Sequence, residues 1–204
     1  IAMLAATAAA LAIAPAAVAQ QKDGMKVGLG VSLETFNTAR FGAGVQGAIP
    51  LDTPVSVYVP IQISPQLRIE PSIGFTTFSQ DAVYAEAAGV PESGYAFDLG
   101  VGVLFYPVPA QPAGFYMGGR AGLVFAGFTI SNAPLPSTDV SWTNFYLKGV
   151  LGGEYFLAPK FSVGLEAQIG ATFFGDEDVT GQVTLSRDLV GFNTSGLVFV
   201  RYFF

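Results

Sequence analysis

Phe161-Ser-Val-Gly-Leu-Glu-Ala-Gln-Ile-Gly-Ala-Thr-Phe173 is the stretch that decides the fold. Phe161, Val163, Leu165, Ala167, Ile169, Ala171 and Phe173 fall on one face, and Ser162, Gly164, Glu166, Gln168, Gly170 and Thr172 on the other. A period of two belongs to an extended strand. Strands of soluble sandwiches run about five or six residues, whereas this alternation continues for thirteen. A tilted strand that crosses a bilayer needs about nine to eleven residues. The length is that of a membrane-crossing strand.

The same pattern recurs eight times, over residues 25–36, 55–64, 67–78, 95–107, 114–130, 144–157, 161–174 and 192–204. The connections alternate in character. Ser64–Gln66, Val108–Ala113 and Ala158–Lys160 are short, whereas Asn37–Pro54, Ser79–Gly94, Ser131–Thr143 and Gly175–Gly191 are long. Outer-membrane barrels have short periplasmic turns and longer extracellular loops in this order. The expectation is an all-β fold, an eight-stranded antiparallel transmembrane up-and-down β-barrel, with both termini on the periplasmic side. Closure explains why strands suit a membrane: in hydrocarbon every backbone group must pair internally, and a barrel has no edge.

The two ends of the chain carry further signals. Ile1–Ala19 is built almost entirely from Ala, Leu and Ile and ends Ala17-Val18-Ala19 before Gln20, the small-x-small pattern of a signal-peptidase site. Residues 1–19 are expected to be a signal peptide that lacks its start and is cleaved, leaving 20–204 as one barrel domain. The chain closes Val198-Phe199-Val200-Arg201-Tyr202-Phe203-Phe204, with Val198, Val200, Tyr202 and Phe204 on one face. This ending resembles the C-terminal signal of bacterial outer-membrane proteins, a terminal Phe preceded by alternate apolar residues. The layout over residues 25–204 is similar to the OmpA transmembrane domain and to the OmpX and OmpW type small barrels. The resemblance implies residence in the bacterial outer membrane among lipid and lipopolysaccharide. It also implies that Val198, Val200, Tyr202 and Phe204 are read by the barrel-assembly machinery.

The alternation also assigns an inward face. Its cations are Lys26, Arg68, Arg120, Lys148 and Arg201, and its anions Glu34, Glu70, Asp98, Glu154 and Glu166. An eight-stranded barrel is just wide enough for side chains to fill, and an isolated charge there costs several kcal/mol. These ten groups are therefore expected to pair into a network that plugs the lumen. Counted from the periplasmic turns, Glu70, Arg120, Glu154, Glu166 and Arg201 lie low and Glu34, Asp98 and Lys148 higher. Bulky Tyr58, Tyr106, Phe199 and Phe203 point inward too. Inward glycines at 28, 30, 74, 100, 102, 118, 122, 152, 164 and 170 either relieve crowding or leave space for water or a small apolar ligand. Outward aromatics form two belts: Phe105, Phe115, Tyr155, Phe161, Tyr202 and Phe204 near the periplasmic ends, and Phe75, Phe97, Phe125, Phe145 and Phe173 toward the other rim.

Composition narrows the function. The chain has no histidine and no cysteine. A His-based nucleophile–base pair and a Cys/His zinc cluster cannot be built, and Lys26 and Lys148 read as ion-pair partners rather than as catalytic bases. The one acidic cluster, Asp176-Glu177-Asp178, offers oxygen ligands for a divalent cation but lacks the spacing and turn glycine of a calcium loop. No metal and no cofactor are expected. The long connections carry Arg40 and Arg187 against Asp52, Asp81, Glu86, Glu92, Asp139, Asp176, Glu177, Asp178 and Asp188, so the acidity of the chain, net −6, lies outside the barrel. Such a surface repels nucleic acid.

The expected function is a non-enzymatic structural or surface-interaction barrel with a plugged lumen, its loops offered to a surface or envelope protein partner. The alternatives are a narrow pore or small hydrophobic-ligand transport barrel, drawing on apolar loop residues such as Ala43–Leu51, and a barrel subunit of a larger envelope complex.

Overall fold

The computed structural model describes residues 25–37, 55–79, 93–108, 112–130, 138–179 and 189–204. The expected leader, the segment Ala43–Leu51 and the greater part of the long connections lie outside them. Within the described residues the chain forms eight antiparallel staves: β1 Lys26–Asn37; β2 in two segments, Val55–Tyr58 and Ile61–Ser64; β3 Leu67–Ser79; β4 Ser93–Phe105; β5 Ala113–Ile130; β6 Thr138–Ala158; β7 Phe161–Val179; and β8 Leu189–Phe203. Each stave pairs with its sequence neighbour, and β8 pairs with β1, so the sheet closes.

The break inside β2 has a local cause. Pro60 has no N–H to give to the ladder, but its carbonyl still accepts from Gly28 N at 2.9 Å, and Val59 N donates to Pro71 O at 3.0 Å. Both segments keep one register against β1 and β3. They make a single stave.

Closure fixes the stagger. Stepping sideways from Gly30 through Tyr58, Ser72, Gly100, Gly122, Tyr146 and Thr172 arrives at Gly191 on β8. Gly30 itself pairs with Arg201 across the closing seam, so the shear is ten residues. An even value is required, because an odd one would turn the inward face of β8 outward on meeting β1.

Outward positions are apolar and open, Leu165 and Ile169 at 65% and 66% exposure. No helix among the described residues is long and apolar enough to cross a membrane. The apolar sheath of strands performs the crossing. Inward positions form the core, including Leu104, Tyr106, Tyr116, Val150 and Phe199. At the periplasmic end the turns are tight, and the Ser64 hydroxyl accepts from the backbone N–H of Gln66 and Leu67.

The other ends differ from expectation. β6 starts at Thr138 rather than 144, β7 runs to Val179 rather than 174, and β8 starts at Leu189 rather than 192. Beyond the bilayer both faces of a strand meet polar surroundings, so the strict apolar-outward rule lapses while backbone pairing continues. Asp139 accordingly lies on a strand, where the Thr129 hydroxyl donates to its carboxylate at 2.7 Å.

Candidate functional site

The lower lumen is filled by charge. Glu154, on β6, accepts from Arg68 Nη1 at 2.8 Å, from the Tyr106 hydroxyl at 2.8 Å and from the Ser162 hydroxyl at 2.5 Å. Glu166, on β7, accepts from Arg120 Nε and Nη2 at 2.7 and 2.8 Å, an Arg fork of the strongest kind. The Tyr116 hydroxyl and Gln168 Nε2 also donate to Glu166, at 2.8 and 2.7 Å. Glu70, on β3, joins the two halves: Arg120 Nη2 and Arg201 Nη2 each lie 2.7 Å from it. Three arginines meet three glutamates, and the carboxylates are wholly buried.

Arg201 is held differently. Its guanidinium sits 3.8 Å from the Phe199 ring centroid and within 5.6 Å of the rings of Tyr58 and Tyr116. Its approaches to Glu70 and Glu154, at 2.7 and 3.2 Å, are charge contacts without hydrogen-bond alignment. A cation stacked on aromatic faces retains attraction in a desolvated place.

The inward glycines are sockets. A Cβ on Gly30 would meet the Tyr58 ring, on Gly152 the Tyr116 ring, on Gly164 the Phe199 ring and on Gly102 the Arg120 guanidinium. Of the two readings of these glycines, relief of crowding is the one seen there: large side chains of the lumen occupy the space.

Above this layer lies a cavity of about 70 Å³. Arg120 and Tyr58 border it together with Ser32, Glu34, Ser56, Ser72, Asp98, Tyr146, Lys148, Gln168 and Leu197. Lys148 Nζ is 5.0 Å from the Tyr146 ring centroid, and the Tyr146 hydroxyl lies 3.4 Å from Asp98. The structure thus gathers Arg68, Glu70, Arg120, Glu154, Glu166 and Arg201 into one network and sets Glu34, Asp98 and Lys148 together above it. Lys26 joins neither. It is exposed at the first position of β1, paired in register with Gln62 beside the periplasmic turn, where water reaches the ammonium.

Alternation named the charges but not their neutral partners. Tyr116, Tyr146, Gln62, Gln168 and Ser162 stand on the same inward positions and complete the carboxylate and guanidinium contacts; a search for polar as well as charged inward residues finds them. On the outer face, Val198, Val200 and Tyr202 are 40%, 42% and 48% exposed, and Phe204 stacks edge-on against Tyr202 at 5.7 Å. The backbone of Asp176, Glu177 and Asp178 runs in β7, and their side chains lie outside the described residues.

Over residues 3–201 the chain matches the family described as the outer membrane protein beta-barrel domain. It belongs to that family. This outer-membrane β-barrel resides in the bacterial outer membrane, surrounded by its lipid and lipopolysaccharide. Among solved structures it is similar to neisserial surface protein A, with TM-score 0.50 and 16% identity over 88% of this chain and 97% of that one. It is also similar to Ail, the attachment invasion locus protein of Yersinia pestis, with TM-score 0.51 and 12% identity over 88% and 97%. A major outer membrane protein of Thermus thermophilus gives TM-score 0.51 and 17% identity over 88% and 99%. Identities this low carry the fold of the barrel and nothing finer. No curated protein sequence matches the chain.

Proposed function

We propose that this outer-membrane barrel is non-enzymatic, with a structural or surface-interaction role and a lumen closed by its ion-pair network. One observation carries the reading: Glu70 is in contact with both Arg120 and Arg201 at 2.7 Å, so a single carboxylate clamps staves β3, β5 and β8 across the lumen. Around it Tyr58, Tyr106, Tyr116 and Phe199 are buried to 3% exposure or less. Opening a path would separate several desolvated ion pairs at once, and breaking even one such pair costs about 3–5 kcal/mol. The absence of histidine from the sequence argues against hydrolase chemistry of the usual nucleophile–base type.

In this reading the outward residues Val198, Val200, Tyr202 and Phe204 engage the barrel-assembly machinery during insertion, and the acidic extracellular side meets a cationic or basic surface partner. Planar-bilayer recording of the refolded barrel tests the closed lumen, with heat-modifiable gel migration showing that it has folded. A silent bilayer is the expected result. Reproducible conductance steps would overturn the plug and put the narrow-pore function in its place.

A further inference from the structure

We propose that the cavity above the ion-pair layer is an internal hydration site, a cluster of ordered waters held in part by the Tyr58 hydroxyl. Tyr58 is buried to 3% exposure, and its hydroxyl has no hydrogen-bond partner among the described residues. Buried hydroxyls are almost always satisfied, by protein or by ordered water. A phenol can both donate and accept, and this one stands on a residue that borders the cavity. Its ring leans over Gly30 of β1, where a Cβ would meet the outer edge and the hydroxyl. Ser32 and Ser56, the next inward positions on β1 and β2, belong to the cavity wall just above it.

The neighbouring protein groups are committed elsewhere. Arg120, at the floor, donates to Glu70 and Glu166. The Gln168 amide donates to Glu166 and accepts from the Ser195 hydroxyl at 3.2 Å. The Tyr146 hydroxyl lies 3.4 Å from Asp98, and Glu34, Ser56, Asp98 and Lys148 are engaged by neighbours. Among the described residues that line the cavity, the phenol of Tyr58 is the fully enclosed polar group left over.

Size and chemistry select the occupant. The cavity measures about 70 Å³, and a buried water needs about 10–15 Å³ of such space together with about two to four polar partners. Several waters fit. The hydroxyls of Ser32, Ser56, Ser72 and Tyr146 supply partners beside the charged groups, and Leu197 is the one aliphatic side chain in the wall. Cavities that stay dry and take apolar guests are lined by apolar side chains. An apolar guest would also leave the Tyr58 hydroxyl unsatisfied, whereas water donates and accepts as the phenol requires. Hydration of the cavity needs no path through the ion-pair layer and is independent of whether the lumen conducts.

Oxygen-17 magnetic relaxation dispersion on the refolded barrel in nanodiscs counts long-lived internal waters, and heat-modifiable migration shows that each variant has folded. The parent is expected to hold several. Tyr58→Phe keeps the ring and removes the hydroxyl, and should lower the count by about one. Ser72→Leu fills the cavity from β3 and should lower it by about two or more. Should Ser72→Leu fail to fold, Ser72→Val makes the same test with less bulk. Leu165→Ala, on the lipid face, is the control and should leave the count unchanged. A parent without long-lived water, or a count that neither lumen variant lowers, would overturn the site. A loss in the Ser72 variant alone would overturn the part given to Tyr58, whose hydroxyl would then be bonded to protein. A loss in Tyr58→Phe alone would place the water outside the cavity and overturn the site as well.

Discussion

The lower and upper lumen are built from the same kinds of residue and reach opposite states. Below, each glutamate is met by arginine, Glu154 and Glu166 also accept from a phenol, and large side chains sit in glycine sockets. Above, Glu34, Asp98 and Lys148 border a cavity lined with hydroxyls. The difference lies in what surrounds the charges. Rings of Tyr106, Tyr116 and Phe199 exclude water from the lower layer, so ions there must neutralise one another. Ser32, Ser56 and Ser72 leave the upper group in a polar enclosure. A barrel of constant shear thus packs side chains tightly over one part of its length and encloses a polar cavity over another, and the neutral residues make that difference.

The largest effect should come from Arg120→Ala. Glu166 has no other arginine in contact among the described residues and would be left buried with only Tyr116 and Gln168 as donors. A buried pair broken on one side costs about 3–5 kcal/mol. Urea unfolding in lipid, followed by gel mobility, should show that loss as a lowered midpoint. The matching change above, Glu34→Gln, removes a half-buried charge from a polar enclosure and should cost about 1 kcal/mol or less. Equal losses for the two variants would erase the distinction between dry and hydrated halves.

Much of this was legible in the alternation of the sequence, and the failures are instructive. Arg68, Glu70, Arg120, Glu154, Glu166 and Arg201 follow from the period of two, because a strand gives face without ambiguity. Depth is another matter. Lys26 has the correct face and the wrong height, at the periplasmic rim of β1. Residues 138–143 read as loop because hydrophobic contrast between faces vanishes beyond the bilayer, although Val140 and Trp142 still point inward. The glycines show a third limit, since relief of crowding was one of their two readings. Sequence shows that Gly152 has no side chain, but only the register of β5 and β6 shows that Tyr116 is the side chain that fills the place.

Those sockets sharpen the comparison between the halves. Gly152→Ala places a methyl group against the Tyr116 ring, which is fully buried and fixed by its hydrogen bond to Glu166. With no room to yield, overpacking should cost about 1–3 kcal/mol. Gly100→Ala, in the upper half, would meet the hydroxyls of Tyr146 and Ser72, and the nearest backbone atom, Ala121 O, is 3.5 Å away. Both hydroxyls border the cavity and can shift into it. The expected loss is about 0.5 kcal/mol or less, offset in part by the entropy that alanine saves over glycine in a strand.

The smallest effect belongs outside the lumen. On the lipid face a Cβ on Gly149 would lie 3.7 Å from Ile169 O, an ordinary contact with open space beyond. Gly149→Ala should leave stability unchanged or raise it by about 0.5 kcal/mol, through reduced freedom of the unfolded chain. Unfolding midpoints of the three alanine variants then rank the environments directly: lower lumen most costly, upper lumen nearly neutral, lipid face neutral or favourable. If Gly100→Ala instead proved as costly as Gly152→Ala, the upper cavity would be too rigid to yield to a methyl group.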